Sequence, residues 1–176
     1  MASEWVVYKL GTLISHQKGY AFKSKDYRPK GQGIVRVTDF TDRSIDIQSC
    51  NYLAEGVAKN HSAVALKTGD VVIATVGSWP TNPQSVVGKT VRVPEEADSF
   101  LLNQNAVKLT ASEAVDQAFL FYLLKNETFE RYIVASAQGS ASQASITLKS
   151  IFDYETPLPP LLEQKAITHI LGTFDD

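Results

Sequence analysis

Asp70-Val71-Val72-Ile73-Ala74-Thr75-Val76, bracketed by Gly69 and Gly77, decides how this chain is read. An apolar, β-branched run closed at both ends by glycine is a buried strand. Upstream, Ile34-Val35-Arg36-Val37-Thr38 has the same character, and Trp5 to Gly11 is a short strand running into a helical turn near Thr12 to Ser15. Downstream comes the polar loop Ser78 to Ser85, where Pro80 and Pro83 supply no backbone donor and discourage helix. Val86 to Val93 and Asn103 to Leu109 follow as two more strands, separated by an acidic turn at Glu95, Glu96 and Asp98. After Ser112, a suitable N-cap, the period becomes helical: Val115, Phe119, Tyr122 and Leu123 fall at i, i+4, i+7 and i+8. Phe129, Tyr132 and Ile133 continue the stripe past a break near Asn126. Ala135 to Ser145 is small and polar, a loop whose backbone lies open to whatever approaches. A short helix around Leu148 to Phe152 and an extended Tyr154 to Thr156 lead to Pro157-Leu158-Pro159-Pro160, where proline at N1 and Glu163 in the first turn begin another helix. Strands first and helices later predict an α+β fold, a twisted β core with packed helices.

The 176 residues make about one domain at roughly 150 residues per domain. With 44% hydrophobic and 20% charged residues the chain can bury a sizeable core, and a net charge of -2 excludes a whole-molecule positive field. The single cysteine, Cys50, excludes an internal disulfide and a cysteine-rich zinc site, which fits a reducing compartment, so a cytoplasmic protein is expected. Met1 to Trp5 does not begin a signal peptide, and no apolar run approaches the roughly 18 residues of a membrane span. One stretch breaks the charge balance. Between His16 and Arg36, Lys18, Lys23, Lys25, Arg28, Lys30 and Arg36 oppose only Asp26, a local excess of five positive charges, with Gly19, Pro29, Gly31 and Gly33 marking most of it as loop. Tyr20, Phe22 and Tyr27 are interleaved with these cations, the composition of a surface that sits on phosphates while aromatic or amide groups approach bases.

Several catalytic motifs are only echoed. Gly88-Lys89-Thr90 ends like a phosphate-binding loop, but Pro83 stands where its first glycine belongs and the following residues are a strand. Gly31-Gln32-Gly33 lacks the third glycine and the preceding strand of a dinucleotide fingerprint. Asn82-Pro83-Gln84-Ser85 lacks the second proline and the aromatic with which adenine methyltransferases grip their target amine. His16, His61 and His169 stand at no metal-ligand spacing, and Cys50 has no neighbouring base.

Pro157-Leu158-Pro159-Pro160-Leu161-Leu162-Glu163-Gln164-Lys165-Ala166-Ile167, followed by Ile170-Leu171, resembles the signature that closes a target recognition domain in the specificity subunit of type I restriction-modification systems. Trp5 with Leu10-Gly11, Gly19-Tyr20-Ala21-Phe22-Lys23-Ser24, Ile34 to Asp39, Leu66 with Gly69 to Ala74, and Asn103-Gln104-Asn105 with Leu109 follow in that family's order. The resemblance implies a non-catalytic domain, residues 1–156, that reads one half of a bipartite duplex DNA target in the major groove. Residues 157–176 would begin the long spacer helix. It also implies modification (methyltransferase) subunits as partners and a restriction subunit as an indirect one, with S-adenosylmethionine, ATP and Mg on those subunits and no cofactor on this chain. Family members usually hold two such domains, so this chain is expected to be a fragment or a half-size subunit.

The local charge makes Lys18, Lys23, Lys25 and Arg28 the expected phosphate contacts. Trp79, Asn82, Gln84, Gln138 and Gln143 are the expected base contacts, with Ser78, Thr81, Ser140 and Ser142 behind them, because amides pair bidentately with adenine. Trp79 could equally anchor its loop on the core. Ile167, Ile170 and Phe174 fall at i, i+3 and i+7, a seam for a partner helix, extended by Leu162 and Ala166; the alternative is that the helix folds back on its own domain. The rival to DNA recognition is a small ligand-binding or enzymatic domain whose pocket is formed by loops 78–85 and 138–143.

Overall fold

A computed structural model describes residues 4–82 and 84–174; Pro83, on which part of the loop reading rests, and Asp175 and Asp176 at the chain end lie outside the described residues. In chain order the elements are β1 (Val6–Lys9), β2 (Ile14–Lys18), β3 (Tyr27–Arg28), β4 (Gln32–Val35), β5 (Asn51–Leu53), the single turn α1 (Glu55–Ala58), β6 (Val71–Ala74), β7 (Val76–Gly77), β8 (Thr90–Arg92), β9 (Leu101–Leu102) and β10 (Ala106–Ala111). Then come α2 (Gln117–Leu124), α3 (Glu127–Ala135), β11 (Gln138–Ser140), β12 (Gln143–Ser145), α4 (Leu148–Phe152), β13 (Glu155–Leu158) and α5 (Leu161–Gly172). The fold is α+β.

Its centre is the antiparallel sheet β2-β10-β6-β8. Because successive strand side chains point to opposite faces, Val71 and Ile73 of β6 and Val107 and Leu109 of β10 enter one core with Phe119, Leu120, Phe129, Ile133 and Ile151 of the helices. Val72, Ala74 and Ala106 enter a second core with Ile34, Val35, Leu53, Leu101 and Leu102 of the sheet β3-β5-β4-β9. A sheet covered on both faces needs apolar residues at every position, and all four residues of β6 are buried.

Local chemistry corrects several expectations. The chain passes its helical turn at Leu10 to Thr12, and Ile14 is already paired to Ala111 in the sheet. That pairing holds β10 extended through Ala111, so Ser112 does not cap α2; Asp116 does, its Oδ1 accepting from the Phe119 amide at 2.9 Å. Asn126 caps α3 at the expected break, accepting from the Thr128 amide at 2.8 Å. The strand expected over 86–93 is confined to Thr90–Arg92, because Gly88, at φ +77°, turns the chain just before it. The strand at Ile34 stops at Val35, and Val37–Asp39 forms a 3-10 turn. The loop expected over 135–145 is a hairpin, β11 with β12, added to the edge of β7. Pro160 occupies the N-cap of α5 rather than N1.

Helix α5 is fastened to the domain through its fully buried Gln164. Its Oε1 accepts from the Asp116 amide at 2.9 Å, and its Nε2 donates to the carbonyls of Pro159 at 2.8 Å and Ala114 at 3.0 Å. Trp5 Nε1 donates to Glu163 Oε1 at 3.2 Å, tying the entrance of β1 to the same turn.

Candidate nucleic-acid interface

Lys18, Lys23, Lys25 and Arg28 all lie exposed, and among the described residues none of them pairs with a carboxylate. Arg28 uses Nη1 on the carbonyls of Tyr27 at 2.8 Å and Lys25 at 3.2 Å, which leaves its charge uncompensated. Arg36, counted with them in the sequence, behaves differently. Its Nη2 and Nε reach Asp39 Oδ1 and Oδ2 at 2.6 and 3.2 Å, the Asp39 side chain is fully buried, and that hydrogen bond raises the guanidinium's pKa above its ordinary value.

The amide loops lie side by side because β12 pairs with β7, the strand that feeds the 78–85 loop. Trp79 packs its ring on the helical core and donates Nε1–H to the Ser140 carbonyl at 2.6 Å, so the anchoring alternative holds for this residue. Asn82 is partly spent as well: Oδ1 accepts from the Gln84 amide at 3.0 Å and Nδ2 donates to Ser78 Oγ at 3.3 Å. Ser85 Oγ donates to the Ser78 carbonyl at 2.6 Å, which closes the loop. In the hairpin, Ser140 stands opposite Gln143 and Gln138 opposite Ser145, while Gly139 stands opposite the fully buried Ala144. Gln138, Ser140 and Gln143 therefore share the face turned away from the core. Gly139, at φ +155°, makes this possible, since a Cβ there would lie 2.1 Å from the Gln143 carbonyl.

A cleft of about 400 Å³ joins the two regions, lined by Lys18 at the end of β2, Thr75 and Val76 beside the hairpin, Gln104 and Asn105 in the β9–β10 turn, and Thr147 after β12. Gln104 and Asn105 are exposed and were not among the sequence candidates. Asn105 sits at φ +72°, a conformation that asparagine tolerates better than most residues, so its residue type marks a turn but not the cleft that the turn faces. Lys18 is the only titratable side chain in this lining, so the cleft offers charge and hydrogen bonds without an acid–base pair.

The seam expected on α5 is split. Ile167 packs against the helical core, because Gln164 turns that side of the helix inward, whereas Ile170 and Phe174 are exposed. The outward apolar row is Leu162, Ala166, Ile170 and Phe174. Cys50, His16 and His61 are engaged by the fold, whereas His169 is exposed on α5. Cys50 is buried, and burial first, then the Asp39 charge, pushes its thiol up to about 12. His16 lies against Phe152, and His61 against Tyr20 and Phe22. Among the described residues no cluster of His, Cys, Asp and Glu could hold a metal, and no helix is long and apolar enough to cross a membrane.

A family model described as the type I restriction modification DNA specificity domain matches residues 2–176. The type I restriction enzyme MjaVIII specificity subunit of Methanocaldococcus jannaschii is 25% identical over 177 residues, which cover 98% of this chain and 40% of that relative. A chain solved in work on complex assembly and conformational transition of the type I R-M system superposes with a TM-score of 0.70 at 20% identity, over 99% of this chain and 39% of that one. The type I restriction-modification S subunit from M. genitalium superposes with a TM-score of 0.67 at 19% identity, over 97% and 39% of the two chains. This chain thus spans about 40% of the length of the curated relative it matches.

Proposed function

This chain belongs to the type I restriction modification DNA specificity domain family, and from that premise we propose that it reads one half of a bipartite duplex DNA target without itself catalysing a reaction. What supports this reading is the meeting of an exposed cation and open amides in one cleft: Lys18 shares it with Gln104 and Asn105, and it borders the hairpin that presents Gln138 and Gln143. Lys18, Lys23, Lys25 and Arg28 hold phosphates and so fix register; Gln84, Gln104, Asn105, Gln138 and Gln143 meet base edges. Residues 1–156 form the recognition domain, and 157–176 open the spacer helix, whose exposed Ile170 and Phe174 face the modification subunits. S-adenosylmethionine, ATP and Mg belong to the modification and restriction subunits, the latter an indirect partner, and the assembly works in the cytoplasm.

Counterion release supplies the test. Each phosphate contact contributes about -0.9 to the slope of log affinity against log salt. Binding of the chain to a mixed-sequence duplex is measured by fluorescence anisotropy across a salt series. The double variant Lys23→Ala, Lys25→Ala is expected to bind more weakly and to flatten that slope by about 2. A wild-type chain that ignores duplex DNA, or a slope that the double variant leaves unchanged, refutes the phosphate assignment.

A further inference from the structure

Three aromatic residues are interleaved with the basic stretch, and the fold treats them differently. Phe22 is buried in the second core, and Tyr27 is half-buried, its hydroxyl accepting from Asn103 Nδ2 at 3.2 Å. Tyr20 is 48% exposed. It is nonetheless held firmly. Its amide donates to the Leu102 carbonyl at 2.9 Å, its carbonyl accepts from the Gln104 amide at 2.9 Å, and the Gly19 amide before it donates to Ala106 at 3.1 Å. Gly19 is required for this approach, since a Cβ there would stand 1.9 Å from the Asn103 carbonyl. Against the phenol pack His61, with ring centroids 4.2 Å apart and planes inclined by 41°, and Phe22 at 5.0 Å. Tyr20, Phe22, Lys23, Lys25, Val57 and His61 line a recess of about 270 Å³ together with the acidic Asp26, and Lys18 stands two residues away on the cleft described above.

We infer that Tyr20, backed by His61, is a stacking platform for a base displaced from the duplex stack, with Lys18, Lys23 and Lys25 holding the phosphates on either side. This deepens the DNA-binding reading and rests on it. An exposed ring that the backbone fixes on both sides and a second ring supports loses little freedom on contact, whereas a solvated tyrosine without such support would be a poor anchor. Every base offers a π-face, so the platform adds affinity without choosing a sequence, and stacking on an aromatic side chain accounts for about 5- to 150-fold in affinity.

The test compares a mixed-sequence duplex with the same duplex carrying a single-base bulge, whose unstacking is already paid. The wild-type chain is expected to prefer the bulged duplex. Tyr20→Ala is expected to lose about 5- to 150-fold on the bulged duplex and to lose the preference, with the salt slope unchanged. Tyr20→Phe keeps both properties, and His61→Ala weakens the preference; circular dichroism melts check that each variant is folded. Equal wild-type affinity for the two duplexes, or Tyr20→Ala binding like wild type while Lys23→Ala, Lys25→Ala is weakened, overturns the platform and leaves the DNA reading intact. A flattened salt slope in Tyr20→Ala also overturns it, because the ring would then act only by placing the lysines. A wild-type chain that binds neither duplex overturns both.

Discussion

The basic stretch and the amide loops both expose polar side chains, but they differ in how much of that polarity the fold has already used. Among the described residues the side chains of Lys18, Lys23 and Lys25 keep all their donors, and Arg28 gives its own only to nearby carbonyls. In the 78–85 loop, by contrast, the side chains of Trp79, Asn82 and Ser85 all hydrogen-bond to partners within the loop or hairpin. The difference follows from what each surface has to meet. A phosphate accepts a cation from many directions, so flexible lysines suffice, whereas a base edge is read only by a donor and acceptor held in place. A reading loop therefore has to spend some polar groups on its own rigidity.

The largest expected effect comes from the one cation of the stretch that breaks this pattern. Arg36→Ala would leave the Asp39 carboxylate buried without its cation, a change that typically costs about 3–5 kcal/mol. The cost here should sit near the lower figure, because Asp39 keeps a bond from the Arg36 amide at 2.8 Å and one from Ser49 Oγ at 3.2 Å. Urea unfolding reads the loss. At low temperature, where the variant is folded, its salt slope for duplex DNA should match wild type. A flattened slope would add Arg36 to the phosphate-binding set and erase the distinction between it and the lysines.

Next in size is Trp79→Ala, which removes a half-buried indole and its bond to Ser140, a loss of about 2 kcal/mol, below the range for fully buried tryptophan. Trp79→Phe keeps most of the packing and should cost about 1 kcal/mol for the hydrogen bond alone. Amide exchange localises the effect: β11 and β12 should exchange faster in Trp79→Ala, while β6 stays protected. Uniform loosening of the whole domain would show that the indole supports the core and not the reading surface.

How far the sequence could be read depended on whether the decisive chemistry was local. β6 was legible because burial on both faces leaves an unbroken apolar run, and α3 because Asn126 announces its start. The β11–β12 hairpin was hidden, since Gln138 to Ser145 is poor in β-formers and its pairing depends on Gly139 and on the tether from Trp79, sixty-one positions from Ser140. The exposed lysines were legible as charge, yet the same count included Arg36, whose partner Asp39 lies outside the window that was summed. Gln104 and Asn105 were missed because nothing in a β-turn's composition says which strand end it will face. Ile167 was misplaced for a related reason: helical spacing gives the faces of α5, but only the buried amide of Gln164 decides which face points inward.

The smallest effect is the one that tests the reading surface itself. Gln143 is exposed on the hairpin, and among the described residues its side chain holds none of the bonds that fix the loops, so Gln143→Ala should leave stability within about 0.5 kcal/mol of wild type. Its consequence should appear only in sequence preference, as a loss of about 1 kcal/mol of discrimination at one base pair, the lower end of what a base contact contributes. Selection of duplexes from a randomised pool, carried out in parallel with the wild-type chain, measures this directly. Asn82→Ala provides the contrast. It removes the acceptor for the Gln84 amide and the donor to Ser78, so the loop loosens and preference should blur at several positions instead of changing at one. If Gln143→Ala recovers the same sequences with the same strength as wild type, the hairpin face does not read bases, and its exposed amides serve only to hold the backbone alongside the lysines.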